Sequence, residues 1–114
     1  MKELTQKLRE FAADRDWEQF HSPKNLAMAL SVEVAEIVEH FQWLTEEQSK
    51  NLLKDKLEEV EAELADTLIY LVRLADKLDI DLLSAAYGKI EVNQRKYPVD
   101  KARGSAKKHT ELDK

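Results

Sequence analysis

Apolar residues recur every three or four positions along most of the chain, which is the spacing of amphipathic helices. The pattern predicts four long helices, over residues 2–15, 23–43, 54–78 and 82–96. Ser22 before Pro23 is a typical helix start, and the segment from Thr45 to Gln48 matches a capping box. Pro98 ends the last helix, because the residue before a proline disfavours helical backbone. We therefore predict an all-α protein.

The apolar rows also predict how the helices pack. The row of the second helix runs through Leu26, Leu30, Val34, Ile37 and Phe41. The row of the third helix runs through Leu57, Val60, Leu64, Leu68, Leu71, Ala75 and Leu78. We expect both rows to lie in the core, with the heptad-like row of the third helix forming a seam against another helix.

Composition narrows the class of protein. The chain has 114 residues, two Gly, two Pro and no Cys, which suits one helical domain and excludes disulfides, thiolate zinc sites and cysteine nucleophiles. We expect a single domain over residues 1–98 and a basic, flexible tail over 99–114. The net charge of −5 argues against a nucleic-acid partner. Apolar runs are short and the N-terminus lacks a signal-peptide core, so we expect a cytoplasmic protein with no membrane span.

Two pairs of acidic residues border the apolar rows, each pair one helical turn apart: Glu33 with Glu36, and Glu63 with Asp66. Residues three apart on a helix have Cβ atoms roughly 5–6 Å apart, so each pair can act as a two-carboxylate claw. If the helices pack through their rows, the claws converge and need positive charge between them. Four oxygen donors favour Mg²⁺, with Mn²⁺ as the alternative ion. His40 shares the row of Glu33, but we do not expect it to be a ligand.

Aromatic and polar residues near these claws suggest a nucleotide. Trp17 and Trp43 can stack on a nucleobase and His21 can hydrogen-bond a base edge, although all three also suit the rim of a core. Polar residues gather near the end of the fourth helix: Lys89, Asn93, Arg95, Lys96 and Tyr97. They are either a clamp for phosphates or an ordinary basic C-terminal turn favoured by the helix dipole.

Two other function classes compete with this interpretation. In a non-catalytic helical interaction module, the acidic rows would simply be solvated faces, as charge runs usually are. A carboxylate-bridged redox di-metal bundle would need two Glu-x-x-His motifs on helices. The chain has one such motif, from Glu18 to His21, and it falls in a connection between helices.

Several collinear segments resemble the all-α nucleoside triphosphate pyrophosphohydrolases of the MazG type, and most closely their small dCTP pyrophosphatase branch. The similarity covers most of residues 11–110. The matching segments are RDWEQFHSPKNL at 15–26, EVAE at 33–36, FQW at 41–43, EAELADTLIYLV at 61–72, NQRKYP at 93–98 and RGSAKK at 103–108. The two acidic motifs are moderately specific alone, and the combination with the tryptophan, Tyr-Pro and Arg-Gly-Ser-Ala segments is specific.

The resemblance implies a fold, a reaction and a set of site residues. The fold would be a four-helix core that forms a homodimer, or a homotetramer made of two dimers. The reaction would be Mg²⁺-dependent cleavage of a deoxynucleoside triphosphate, most closely dCTP or a modified dCTP, to the monophosphate and pyrophosphate, as nucleotide-pool house-cleaning. The implied catalytic metal ligands are Glu33, Glu36, Glu63 and Asp66. The implied substrate-binding residues are Trp17, His21, Trp43, Tyr70, Lys89, Asn93 and Tyr97, some of them reaching in from a partner subunit. Val32 and Ala35 stand where the branch has glycine.

Overall fold

The computed structural model describes residues 1–106, and the end of the expected tail, residues 107–114, lies outside the described residues. The helices are α1 (Lys2–Asp14), a 3₁₀ turn (Glu18–Phe20), α2 (Pro23–Phe41), α3 (Glu46–Ser49), α4 (Lys54–Lys77), α5 (Leu82–Lys96) and α6 (Val99–Ala102). Residues 1–106 contain no strand, which confirms the all-α prediction. None of the helices in this range has the length and hydrophobicity needed to cross a bilayer.

The predicted helix starts are confirmed by their capping hydrogen bonds. The Ser22 side chain accepts a bond of 3.1 Å from the backbone N–H of Asn25, at the start of α2. Thr45 and Gln48 form both bonds of the capping box at the start of α3. These side chains satisfy N–H groups that have no partner within the helix, so the helix starts are set locally.

The end of α1 determines where Trp17 lies. Asp16 adopts a left-handed conformation with φ of 55°, and the N–H of Trp17 bonds back to the carbonyl of Ala12 at 2.9 Å. This is the Schellman pattern that reverses the chain after a helix, and Asp79 ends α4 in the same way. The 3₁₀ turn that follows Trp17 was not predicted, because three residues carry no periodic signal.

The chain divides into two compact units, Met1–Ile80 and a second unit that begins at Asp81. In the first unit, α4 packs along α2 and also contacts α1. The second unit holds α5 and the single turn of α6, which begins after Pro98 in a segment that we expected to be a loop. The interpretation of residues 1–98 as one domain stays a prediction.

The helix rows that face inward agree only in part with the rows that hydropathy selected. On α4 the half-buried or buried row is Lys56, Val60, Glu63, Thr67, Tyr70 and Leu74. The predicted seam was wrong for five of its residues, which are 37% to 55% exposed: Leu57, Leu64, Leu68, Leu71 and Leu78. On α2 the predicted row is confirmed except for Val34, which is exposed: Leu26 is buried, and Leu30, Ile37 and Phe41 are half-buried. Glu33, Glu36 and His40 are half-buried beside this row. Polar groups therefore lie between the two helices, and the exposed leucines of α4 face away from the chain's own core.

Candidate metal and nucleotide site

Three carboxylates converge between α2 and α4. One carboxylate oxygen from each of Glu33, Glu36 and Glu63 lies within 4.8 Å of the others. We call these three residues the acid cluster. Glu33 and Glu36 lie one turn apart on the inward face of α2, and Glu63 lies on the inward row of α4. The structure therefore brings together three of the four predicted ligands.

Asp66, the fourth predicted ligand, lies at the edge of this arrangement. Its side chain belongs to an exposed residue, and it is outside the group of oxygens that lie within 4.8 Å of one another. Its negative charge nevertheless contributes to the raised pKa values of both Glu33 and Glu63. Asp66 is thus close enough to raise the pKa values of Glu33 and Glu63, and it is exposed to solvent.

The acid cluster has little compensating charge, the described contact being that of His40 Nε2 with Glu63 Oε1 at 3.9 Å. Glu33 Oε2 and Glu63 Oε2 are buried and have no hydrogen-bond partner in the described structure. Burial raises the pKa of Glu33 to about 7, and the neighbouring Glu36 raises it further in the same direction. The pKa of Glu63 is raised first by its contact with the Glu36 carboxyl and then by burial. Buried acceptors without donors are costly, so the fold holds these oxygens ready for a partner from outside the chain.

The chemistry of the donor set fits a hard divalent cation. All three donors are carboxylate oxygens, which suit Mg²⁺ or Mn²⁺ better than zinc or copper. His40 lies nearby, with Nε2 3.9 Å from Glu63 Oε1 and Nδ1 3.2 Å from Lys56 Nζ, but it is not part of the converging group. A solvated acidic face, as the interaction-module alternative requires, does not describe three half-buried carboxylates.

Trp17 and His21 form an aromatic corner beside the start of α2. The ring centroids of Trp17 and His21 are 6.3 Å apart with an interplanar angle of 57°. The ring of Phe11, on α1, packs edge-on against the indole of Trp17, with ring centroids 5.7 Å apart and an interplanar angle of 70°. This contact supports the position of the indole. Trp17 is 43% exposed, which leaves a ring face open to a planar ligand.

The other predicted pocket residues are placed differently. Tyr70 is half-buried on the inward row of α4, one turn beyond Asp66. Trp43, just past the end of α2, is 87% exposed, and the aromatic contacts described for residues 1–106 do not join it to Trp17. The sandwich of a base between the two tryptophans stays a prediction.

The predicted phosphate clamp lies on the second unit. Lys89 and Asn93 are exposed on one face of α5, a turn apart, and Tyr97 follows at the C-cap of that helix. The spacing of four residues keeps the three on one side of α5. Their role toward a triphosphate stays a prediction.

Comparison with known proteins decides the family. Residues 28–112 match the MazG-like family. The chain belongs to the MazG-like family. It is 47% identical over 105 residues to dCTP pyrophosphatase 1 of Homo sapiens and 49% identical to that of Bos taurus. Each alignment covers 90% of this chain and 62% of the relative, so the chain spans less than two thirds of their length. The family prediction is confirmed.

A solved structure agrees with this MazG-like assignment. The crystal structure of a pyrophosphatase from Archaeoglobus fulgidus superposes with a TM-score of 0.81 at 46% sequence identity. The match covers 86% of this chain and 92% of that chain. The backbone arrangement is therefore shared, over 86% of this chain, with that pyrophosphatase.

One charged cluster of this MazG-like chain was missed by the sequence interpretation. Arg73 is buried and lies 2.9 Å from Glu18 and 3.5 Å from Asp76. Lys77 pairs with Glu18, and Arg9 binds Asp76 through two hydrogen bonds, one of them 2.8 Å long. We call these five residues the ion network. Arg73 continues the row of Glu63, Asp66 and Tyr70 on α4, so the sequence indicated the face on which it lies. Its partners are distant in sequence, so the sequence did not indicate them.

The ion network has the opposite electrostatics to the acid cluster. The pKa of Glu18 is lowered first by Lys77 and then by Arg73, and the pKa of Asp76 is lowered first by Arg9. His21 also contacts Arg73, at 3.2 Å. The redox di-metal alternative is not supported, because both residues of the one Glu-x-x-His motif, Glu18 and His21, contact Arg73.

Proposed function

We propose that this chain is a Mg²⁺-dependent nucleoside triphosphate pyrophosphohydrolase. The substrate would be a deoxynucleoside triphosphate, dCTP or a modified dCTP, and the products would be the monophosphate and pyrophosphate. The observation that carries the proposal is the acid cluster with its two buried carboxylate oxygens that lack partners. The likeness to dCTP pyrophosphatase 1 of two mammals supports the choice of substrate. Nucleotide-pool house-cleaning in the cytoplasm is the corresponding role.

The metal would be held by Glu33, Glu36 and Glu63, with Asp66 at the open edge. When bound there, Mg²⁺ would offset the carboxylate charge, bind phosphate oxygens and lower the pKa of water. By holding the cation, the carboxylates would set the position of the reacting phosphate relative to α2 and α4. The oxygen of a water molecule attacks the α-phosphorus, a cluster carboxylate takes up its proton, and the bond from the α-phosphorus to the bridging oxygen breaks so that pyrophosphate leaves.

The remaining predicted residues would bind the rest of the nucleotide. Trp17 offers a ring face for stacking on the base, and His21 lies beside it for a base edge. In this proposal Trp43 covers the other face of the base, and Tyr70 lies between the base and the metal end. In this proposal Lys89 offsets phosphate charge, and Asn93 and Tyr97 donate hydrogen bonds to phosphate oxygens.

We also propose that the chain works as a homodimer, or as a tetramer of two dimers. The exposed leucines of α4 recur at steps of seven, four, three and seven residues, from Leu57 to Leu78, which is the heptad-like spacing of a helix seam. Five exposed leucines on one helix are an apolar surface of the kind that marks an interaction site. A change of Leu64 and Leu68 to Glu is expected to shift the mass measured by light scattering toward one chain. An unchanged oligomer mass in this variant would contradict a seam at this row.

Pyrophosphate release tests the proposed function. Purified chain with Mg²⁺ should release pyrophosphate from dCTP or a 5-substituted dCTP in a panel of all four deoxynucleoside triphosphates. Release should stop in EDTA and in Glu63→Ala, while Glu61→Ala, an exposed carboxylate two residues away on α4, should retain it. If no deoxynucleoside triphosphate is hydrolysed, the proposed function is wrong.

A further inference from the structure

Arg73 is a buried cation without a place in the proposed reaction. It is 3% exposed and lies seven residues beyond Asp66 on α4, about 10 Å at 1.5 Å per residue. Taking a guanidinium out of water is costly unless every charge is compensated. Glu18 and Asp76 compensate it, and yet one guanidinium N–H is directed to a third partner, His21. That partner belongs to the aromatic corner described above.

The contact with His21 determines which imidazole nitrogen carries the proton. Arg73 Nη2 lies 3.2 Å from His21 Nδ1. A guanidinium has only N–H donors and stays charged, so a hydrogen bond at this distance requires an acceptor lone pair on Nδ1. A neutral imidazole with Nδ1 unprotonated carries its proton on Nε2. Burial, and next the charge of Arg73, lower the pKa of His21, which favours the neutral ring.

The two N–H groups of Nη2 are divided between two partners. Nη2 donates to Glu18 Oε1 at 2.9 Å and to His21 Nδ1 at 3.2 Å, and Glu18 also pairs with Lys77. The backbone N–H of His21 in turn bonds to the carbonyl of Glu18 at 3.2 Å. The imidazole is therefore held at its Nδ1 edge by a buried group that cannot rotate freely, and the opposite Nε2 edge is free of this constraint.

We propose that Arg73 is a positioning residue that fixes His21 as an Nε2–H donor for the base of the nucleotide. A donor in this place selects an acceptor atom on the base edge, such as a carbonyl oxygen or an unprotonated ring nitrogen, and disfavours an N–H. The aromatic corner would then combine stacking on Trp17 with one hydrogen bond of fixed polarity. The inference rests on the proposed function for the identity of the ligand, but the state of His21 does not depend on activity.

Nitrogen NMR of the ¹⁵N-labelled full chain tests the tautomer directly. The His21 ring signals are assigned by their loss in His21→Gln. The wild type is expected to show an unprotonated Nδ1 and a protonated Nε2 at neutral pH. In Arg73→Met the signals should move toward a mixture of tautomers. In the control Arg9→Met, which removes another arginine of the ion network, they should not move. A protonated Nδ1 in the wild type overturns the proposal, even if Arg73→Met does not fold.

A double-mutant cycle separates positioning from mere structural support. Arg73→Met should raise KM for dCTP about tenfold, the size of one hydrogen bond to a ligand, and leave kcat within about twofold. In a His21→Gln background the same change should have little further effect on KM, because its action runs through His21. If the two effects on KM simply add, Arg73 does not act through His21. If the wild type hydrolyses nothing while its tautomer is as expected, only the proposed function fails.

Discussion

Two charged clusters share the helix α4, with Glu63 and Arg73 ten residues apart on it, and they are built in opposite ways. In the acid cluster, three carboxylates from α2 and α4 meet without a cation, and the pKa values of Glu33 and Glu63 are raised. In the ion network, two carboxylates meet three cationic side chains, and the pKa values of Glu18 and Asp76 are lowered. Both carboxylates of the ion network have cationic partners within the chain, whereas two buried oxygens of the acid cluster have no hydrogen-bond partner in the described structure.

The difference separates a charged cluster that supports the fold from one that we assign to function. The ion network ties the 3₁₀ turn and α1 to α4, and removing one partner would leave a buried charge without compensation. An uncompensated cluster costs folding energy and is kept only where a ligand supplies the missing charge. The two clusters therefore predict opposite signs for the same kind of substitution.

The largest expected effect is the loss of hydrolysis in Glu63→Gln. We expect kcat/KM for dCTP to fall on the order of 10²–10³-fold, because the change removes a proposed ligand of the cation that would offset the charge developing in the transition state. Steady-state kinetics at saturating Mg²⁺ measure it. The control Glu61→Gln carries the same change on an exposed position of α4 and should keep full activity. Equal activities in the two variants would contradict the assignment.

The next effect is a loss of stability in Asp76→Asn. The side chain of Asp76 is only 14% exposed and accepts two hydrogen bonds from Arg9. Removing its charge should lower the free energy of unfolding by about 2 kcal/mol, as for other hydrogen bonds to charged groups. Urea denaturation measures the change. A neutral or stabilising result would show that the ion network does not support the fold.

Removing a carboxylate charge from the acid cluster should instead raise the free energy of unfolding. In the metal-free chain at pH 8, Glu33→Gln is expected to raise the free energy of unfolding by on the order of 1 kcal/mol, because it removes a buried like charge. The same urea measurement, with EDTA present, tests it. Destabilisation as large as that of Asp76→Asn would mean that the acid cluster is already compensated.

The smallest expected effect, and the one most specific to each cluster, is the pH dependence of the free energy of unfolding. The pKa of Glu33 is about 7 in the folded chain, above its ordinary value of 4.5, so the folded state holds a proton that the unfolded state has released. Its contribution is greatest below pH 4.5 and is lost as the pH rises through about 7. The lowered pKa values of Glu18 and Asp76 act oppositely, since their contribution is lost as the pH falls below the ordinary carboxylate range.

Thermal unfolding in EDTA from pH 4 to pH 8 separates these contributions. The difference in melting temperature between Glu33→Gln and the wild type should grow as the pH rises toward about 7. Saturating Mg²⁺ should remove most of that difference, because the cation takes the place of the proton. A difference that is constant across this range would contradict the raised pKa.

Local signals in the sequence predicted most of the fold. The caps at Ser22 and Thr45 and the proline after α5 act within a few residues, so the sequence shows them directly. The packing face of α4 was predicted wrongly, because Glu63, Thr67 and Tyr70 are polar and hydropathy chose the leucine row beside them. Polar residues of α4 therefore lie at its contact with the rest of the chain, and leucines lie on its exposed face. Hydropathy predicts the opposite arrangement.

The candidate site was predicted in part for a related reason. Spacing placed Glu33 with Glu36 on one face, and the expected packing of the second and third helices brought Glu63 to them. Nothing in the local sequence shows that Arg73 meets Glu18, which is 55 residues away. Pairings of this kind depend on how helices dock, and the sequence marks only the face on which Arg73 lies.

Anomalous diffraction from crystals grown with Mn²⁺ tests the central claim most directly, because it locates the cation without relying on turnover. The account predicts an anomalous peak among the carboxylates of Glu33, Glu36 and Glu63, within about 2.0–2.6 Å of their oxygens. The peak should vanish in Glu63→Gln and persist in Glu61→Gln. Crystals of an Mn²⁺-activated enzyme with no peak at these carboxylates would contradict the account.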